Sequence, residues 1–185
     1  MMVVRLGWAR LPGLPSAVLR GHVEVAGVPP SAVNLDALDH ERYMERALTL
    51  AREAADRGDE PFGSLLVHDD EVVMEERNAV NTADDIRRHP ELTLAKRAAA
   101  EFSPETCREM VMYTSTEPCA MCSGGIYIAK LGAVVYSVSA ERAADLAGSD
   151  LVVPSAEIFD RGTADVRTVG PVSPEAGAAV HRDCW

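Results

Sequence analysis

The stretch Val111-Met112-Tyr113-Thr114-Ser115-Thr116-Glu117-Pro118-Cys119-Ala120-Met121-Cys122 decides the reading of this chain. Val111 to Ser115 is a short apolar run and is predicted as a strand. Thr116-Glu117-Pro118 is a turn, and Pro118 opens a helix from Cys119 to about Lys130. A second apolar strand, Ala133 to Ser137, follows at once. A strand–helix–strand unit implies a parallel pair of strands, with helices covering both faces of the sheet.

Working outward, the alternation continues. Upstream, His89-Pro90-Glu91 begins a helix, because proline is favoured at the first helical position and keeps its predecessor extended. Leu92, Leu94, Ala95, Ala98, Ala99 and Phe102 carry that helix to Ser103-Pro104. Asn78 to Arg88 is polar and reads as loop. Phe62 to Val67, the turn Asp69-Asp70 and Glu71 to Arg77 read as a β-hairpin. Asp39 caps a helix to about Arg57, with Tyr43, Met44, Ala47, Leu48, Ala51 and Ala54 on one face. Downstream, Ala140 to Ala147 is a helix stopped by Gly148, Val166 to Val169 a strand, and Glu175 to His181 a short helix. There is no internal repeat.

The 185 residues suit one domain with a short appendage. With 47% hydrophobic and 25% charged residues, the composition is that of a globular protein. The net charge of −11 disfavours a phosphate backbone as partner and suits a small neutral or cationic substrate. No apolar run reaches the roughly 18–20 residues that span a membrane. Met1 to Val23 carries Arg5, Arg10 and Arg20 and no acid. Arg10 and Pro12 interrupt any signal-peptide core, so the expected location is cytoplasmic. Residues 1–34 are expected to form a poorly ordered N-terminal extension, or to reflect a start codon upstream of the true one. Residues 35–170 are expected as the working domain and 171–185 as a C-terminal tail that closes over an active site.

Four cysteines, Cys107, Cys119, Cys122 and Cys184, are too few for a disulfide scaffold. Without a secretory signal, Cys119-x-x-Cys122 points to metal or redox chemistry. A catalytic zinc site takes three protein ligands and leaves one position open. Cys119 and Cys122 at one helix start supply two thiolates, and His89 at another helix start supplies the third ligand. With a strand between the two helices, both starts meet at one edge of the sheet. Glu91 need not be a ligand and is suited to carrying protons. A structural zinc half-site or a redox pair remains the alternative. A structural site, however, wants a fourth sulfur or imidazole, and Cys107 is the only other nearby cysteine, in what reads as a loop.

His89-Pro90-Glu91, the 26 residues Leu92 to Glu117, and Pro118-Cys119-Ala120-Met121-Cys122 together match the His-x-Glu…Pro-Cys-x-x-Cys pattern of the zinc deaminases. From about Leu35 to Gly162 the chain resembles the cytidine-deaminase-like superfamily, in the branch of guanine, cytosine and tRNA adenosine deaminases. Pro61-Phe62-Gly63-Ser64 resembles that branch's Pro-Phe-Gly-Ala strand, and Met112 to Cys119 its strand and metal turn. Two residues depart from the pattern. Pro90 stands where a small residue is usual, and Ser64 where alanine is usual.

The resemblance implies a three-layer α/β/α sandwich around a mixed five-stranded sheet, usually dimeric or larger. It implies Zn2+ on His89, Cys119 and Cys122, Glu91 as proton shuttle, and Asn78, Phe62, Gly63, Ser64 and Pro118 as substrate contacts. The reaction it implies is hydrolytic deamination of a nucleobase or nucleoside. The segment Ala140 to Gly162 is more similar to guanine deaminases, so guanine or a related amino-purine or amino-triazine comes first. Cytosine or cytidine is second; a tRNA adenosine or a non-catalytic, zinc-stabilised binding module comes after. Cations cluster only at Arg87-Arg88 and Lys96-Arg97, which weighs against tRNA. Asp145, Asp150 and Trp185 are, by position alone, the residues expected to close over the ring.

Overall fold

The computed structural model describes residues 33–148 and 151–184. Within them a five-stranded sheet has the order β2-β1-β3-β4-β5. Its strands are β1 (Gly63–His68), β2 (Glu71–Arg77), β3 (Val111–Thr116), β4 (Ala133–Val138) and β5 (Arg167–Val169). β1 runs antiparallel to both β2 and β3, while β3, β4 and β5 are mutually parallel neighbours. The sheet is therefore mixed. The tight turn between β1 and β2 is made by Asp69 and Asp70, both at positive φ (52° and 60°). Aspartate tolerates that backbone better than most residues, and the geometry suits a two-residue hairpin.

Helices cover both faces. On one lie α1 (His40–Ala55) and α8 (Pro174–Cys184). Tyr43, Met44 and Leu48 of α1 and Val180 of α8 pack with Leu65, Val67, Val111, Tyr113 and Val135. On the other lie α3 (Pro90–Glu101), α5 (Ala120–Ala129) and α7 (Ser155–Phe159). There Leu94, Ala98, Ile126 and Phe159 pack with Leu66, Met112 and Val134. Alternate residues of β1, β3 and β4 thus enter opposite layers, and β3 is buried along its whole length. A strand covered on both sides reads as a near-continuous run without alternation, and this is the character of Val111 to Ser115. Asp39 caps α1 as expected, accepting from Arg42 N–H at 3.0 Å.

Three single-turn or near-single-turn helices were not expected: α2 (Val80–Ala83), α4 (Pro104–Arg108) and α7. Each is too short to show a 3.6-residue period, so periodicity cannot reveal it. Capping chemistry does mark α4: Ser103 Oγ accepts from Thr106 N–H at 3.2 Å, with Pro104 following as first residue. This corrects the placing of Cys107 in a loop. It sits in α4, 1% exposed, with Sγ 3.6 Å from Ala98 O, and serves the core. The last helix is longer than expected, Pro174–Cys184 instead of Glu175–His181. Most of the predicted extension, residues 1–32, lies outside the described residues, as do Asp150 and Trp185.

Candidate active site

β3 ends between α3 and α5, and its C-terminal edge brings the two helix starts together. Pro90 is the first residue of α3 and His89 its N-cap, with extended backbone (φ −65°, ψ 136°). Pro90 therefore fits the helix start without strain, as the first-position argument requires. Cys119 is the N-cap of α5, also extended (φ −63°, ψ 170°), and Cys122 lies in its first turn. His89 Nδ1 is 3.8 Å from Cys119 Sγ and 3.6 Å from Cys122 Sγ. The ligand atoms of these three residues all lie within 4.8 Å of one another. Tetrahedral zinc, with Zn–S near 2.3 Å and Zn–N near 2.0–2.1 Å, sets N···S edges of about 3.6 Å. The triad fits that ion, and among the described residues no fourth His, Cys, Asp or Glu joins it.

The protonation pattern of the triad suits a cation. Cys119 is pushed down to about 4, chiefly by the hydrogen bond from Cys122, with His89 adding to it. Cys122 is pushed up by sharing that proton and by burial, and the His89 imidazole is pushed up chiefly by Cys119. A bound divalent cation would hold both sulfurs as thiolates.

Glu91 is 4% exposed on the first turn of α3. Its Oε1 accepts from Thr114 Oγ1 at 2.8 Å, and its Oε2 lies 3.5 Å from Cys122 Sγ. Burial pushes its carboxyl above the ordinary value, with the His89 charge and the Thr114 hydroxyl opposing. A carboxyl near the reacting centre that is drawn both ways is suited to taking up and releasing a proton.

A cavity of about 140 Å3 opens onto His89, Glu91 and Cys119. Phe62, Thr116 and Glu117 line it from the sheet side. The opposite wall is apolar: Ala140, Ala143, Ala144 and Ala147 of α6 (Ala140–Ala147), then Leu151 and Val153. A slot with an aromatic ring, small side chains and a proton carrier beside a metal triad suits a small molecule presented to that triad.

The other expected contacts divide. Phe62 lines the cavity, and the His181 ring meets it edge-on at 5.7 Å. Asn78 is 1% exposed; its Oδ1 accepts from Val80 N–H at 2.9 Å, and its buried Nδ2 has no hydrogen-bond partner among the described residues. Gly63 and Ser64 are buried and are not among the residues lining the cavity. A side chain on Gly63 would meet Ala51 N at 2.4 Å, so the glycine is needed for the approach of α1. Ser64 Oγ donates to Thr114 Oγ1 at 2.9 Å and so backs Glu91 at one remove. Pro118 is buried, and its carbonyl accepts from Ser123 Oγ at 3.1 Å. Asp145 is exposed and does not line the cavity. Nor does any described residue of the expected tail from 171 to 184. Sequence reasoning missed Thr114, Thr116 and Glu117, although they lie inside the stretch first quoted. It also missed the alanine face of α6, whose three- and four-residue spacing was visible.

The model of the cytidine and deoxycytidylate deaminase zinc-binding region matches residues 38–138. The chain belongs to this family. It is a zinc deaminase, a hydrolytic enzyme acting on nucleobases or nucleosides. The guanine deaminase of Bacillus subtilis is 38% identical over 114 residues, 61% of this chain and 72% of that protein. A tRNA-specific adenosine deaminase 2 of Xenopus tropicalis is 33% identical over 129 residues, 66% of this chain and 75% of that protein. A crystal structure of an NE0047 variant in complex with 8-azaguanine superposes with TM-score 0.67 at 20% identity, covering 78% of this chain and 83% of that one. At that identity the likeness shows the shared fold.

Proposed function

We propose that this zinc deaminase converts guanine, or a related amino-purine or amino-triazine base, and water to the corresponding ring carbonyl and ammonia. The observation that carries the reading is Glu91: a buried carboxyl, hydrogen-bonded by Thr114, in the same cavity as His89 and Cys119. His89, Cys119 and Cys122 would hold the Zn2+, which when bound would supply Lewis acidity that lowers the pKa of a water from about 15.7 towards 7. Glu91 takes a proton from the attacking water and returns protons to a ring nitrogen and to the departing amine. The unpartnered Asn78 Nδ2 offers a hydrogen-bond donor for a ring acceptor. Phe62 and the alanines of α6 pack against the flat faces and edge of the ring.

The similarity to a guanine deaminase supports the purine assignment, and an apolar slot agrees with a neutral base. Ammonia release measured across guanine, cytosine, adenine, amino-triazines, their nucleosides and a tRNA anticodon stem-loop tests it. Guanine or another amino-purine or amino-triazine is expected to give the highest kcat/KM. Preference for cytosine or for the stem-loop would overturn the substrate assignment, and silence on every substrate the enzymatic one.

The same reading extends to assembly and location. Met121 and Ile128 lie seven residues apart on one face of α5, 38% and 79% exposed. That apolar stripe supports a homodimer formed through α5. Sedimentation is expected to give twice the chain mass, and Ile128→Lys to return it to the single-chain value. Thiols that must stay reduced to hold a metal support a cytoplasmic location.

A further inference from the structure

Glu117 does work that the deamination chemistry leaves unassigned. It is 7% exposed, and its two carboxylate oxygens point to two different stretches of chain. Oε2 accepts from the backbone N–H of Ala140 at 2.8 Å. Oε1 accepts from the backbone N–H of Ser155 at 2.8 Å and from its hydroxyl at 2.7 Å. Ala140 is the first residue of α6 and Ser155 the first of α7. Between them runs the apolar wall of the cavity, including Ala144, Leu151 and Val153.

One carboxylate thus ties down both ends of the wall. Its own backbone is fixed beside the metal turn, with Glu117 N–H donating to Val138 O at 2.8 Å and Cys119 two residues on. α6 also packs on α8, and Phe159 of α7 is anchored in the core. α6 contains no buried residue, and Leu151 is 69% exposed. Half-buried Ala143, Ala144 and Leu146 give α6 only partial apolar anchoring, and the charge-assisted hydrogen bonds, the stronger kind, add to it at its first residue.

We propose that Glu117 is a positioning residue that staples both ends of the cavity wall to the metal turn and so sets the width of the slot that receives the base. Its side-chain hydrogen bonds go to Ala140 and Ser155 and to neither metal ligand nor proton shuttle. Its effect is on how well the ring is gripped, through Ala140 and Ser155. The proposal rests on the deaminase reading for its kinetic consequence, and on the hydrogen bonds alone for its structural one.

The test uses the full-length, zinc-loaded protein. Glu117→Gln places an amide N–H2 against one end's N–H donors, and that end is released. KM for the best base is expected to rise about tenfold, with kcat within about threefold and zinc near one per chain. The Ala140 or Ser155 amide is expected to exchange with deuterium faster than in the wild type. Ser155→Ala, which removes only the hydroxyl's bond, gives a smaller rise in KM, and Ser155→Thr keeps the wild-type value. If the Gln variant fails to fold or loses zinc, Ser155→Ala decides. An active enzyme whose variants keep the wild-type KM, or lose kcat alone, overturns the staple. If the wild type deaminates no base, the functional reading fails separately. Amide exchange at Ala140 and Ser155 then still decides the staple.

Discussion

Glu91→Gln is expected to lower ammonia release by at least about 10²–10⁴-fold, the range for loss of a general acid–base group, while zinc stays near one per chain. Gln keeps the shape and can still accept from Thr114 Oγ1 through its amide oxygen, so the first turn of α3 is undisturbed. What it cannot do is accept a proton at neutral pH. The loss can exceed that range, because one carboxylate serves several transfers in each cycle: from water, to the ring nitrogen, and to the leaving amine. The base is still expected to bind, since Asn78, Phe62 and the α6 wall are untouched. The decisive combination is single-turnover rate, base affinity and metal content on one preparation. Wild-type turnover in the variant would remove Glu91 from the mechanism whatever the zinc analysis says.

The second large effect concerns the ligands. Cys119→Ser/Cys122→Ser is expected to carry no stoichiometric zinc and to show no measurable deamination. Serine hydroxyls do not ionise near neutral pH and bind zinc far more weakly than thiolates, leaving His89 alone. A ligand that binds only the folded state raises its stability. A strong chelator should therefore lower the Tm of the wild type, and leave that of the double variant, already metal-free, unchanged. Elemental analysis with paired melting curves checks both. Full zinc in the double variant would show that the triad has been misplaced. Cys122 is fully buried at the start of α5, but neither cysteine belongs to the two packed clusters that hold the sheet to its helices, so the variant is expected to remain folded.

Much of this molecule was legible along the chain because its determinants are local. His89-Pro90-Glu91 declares a helix start through proline's fixed φ and missing N–H, and the structure has His89 as N-cap of α3. Cys119 and Cys122 are placed by a helix start in the same way. The longer elements carried their own periods, and β3 its short run without polar alternation. From these alone followed an α/β sheet with helices on both faces and a three-ligand metal site with a carboxyl beside it.

Other features depend on which distant residues meet, and one-dimensional spacing is silent about that. Gly63 and Ser64 sit in a strand that looked poised against the substrate. Pairing of β1 with β3 turns Ser64 towards Thr114, and the close approach of α1 accounts for Gly63. The helices α2, α4 and α7 are too short to show a period. Tertiary structure alone joined Glu117 to Ala140 and Ser155, because β3 and β4 run side by side and deliver the start of α6 to the metal turn. The chain determined by itself which groups could do the chemistry, since residue type and local backbone suffice for that. Which groups line the cavity in front of them, and what holds that lining, was decided by the fold, because hydrogen bonds between residues 23 and 38 positions apart exist only once the sheet has formed.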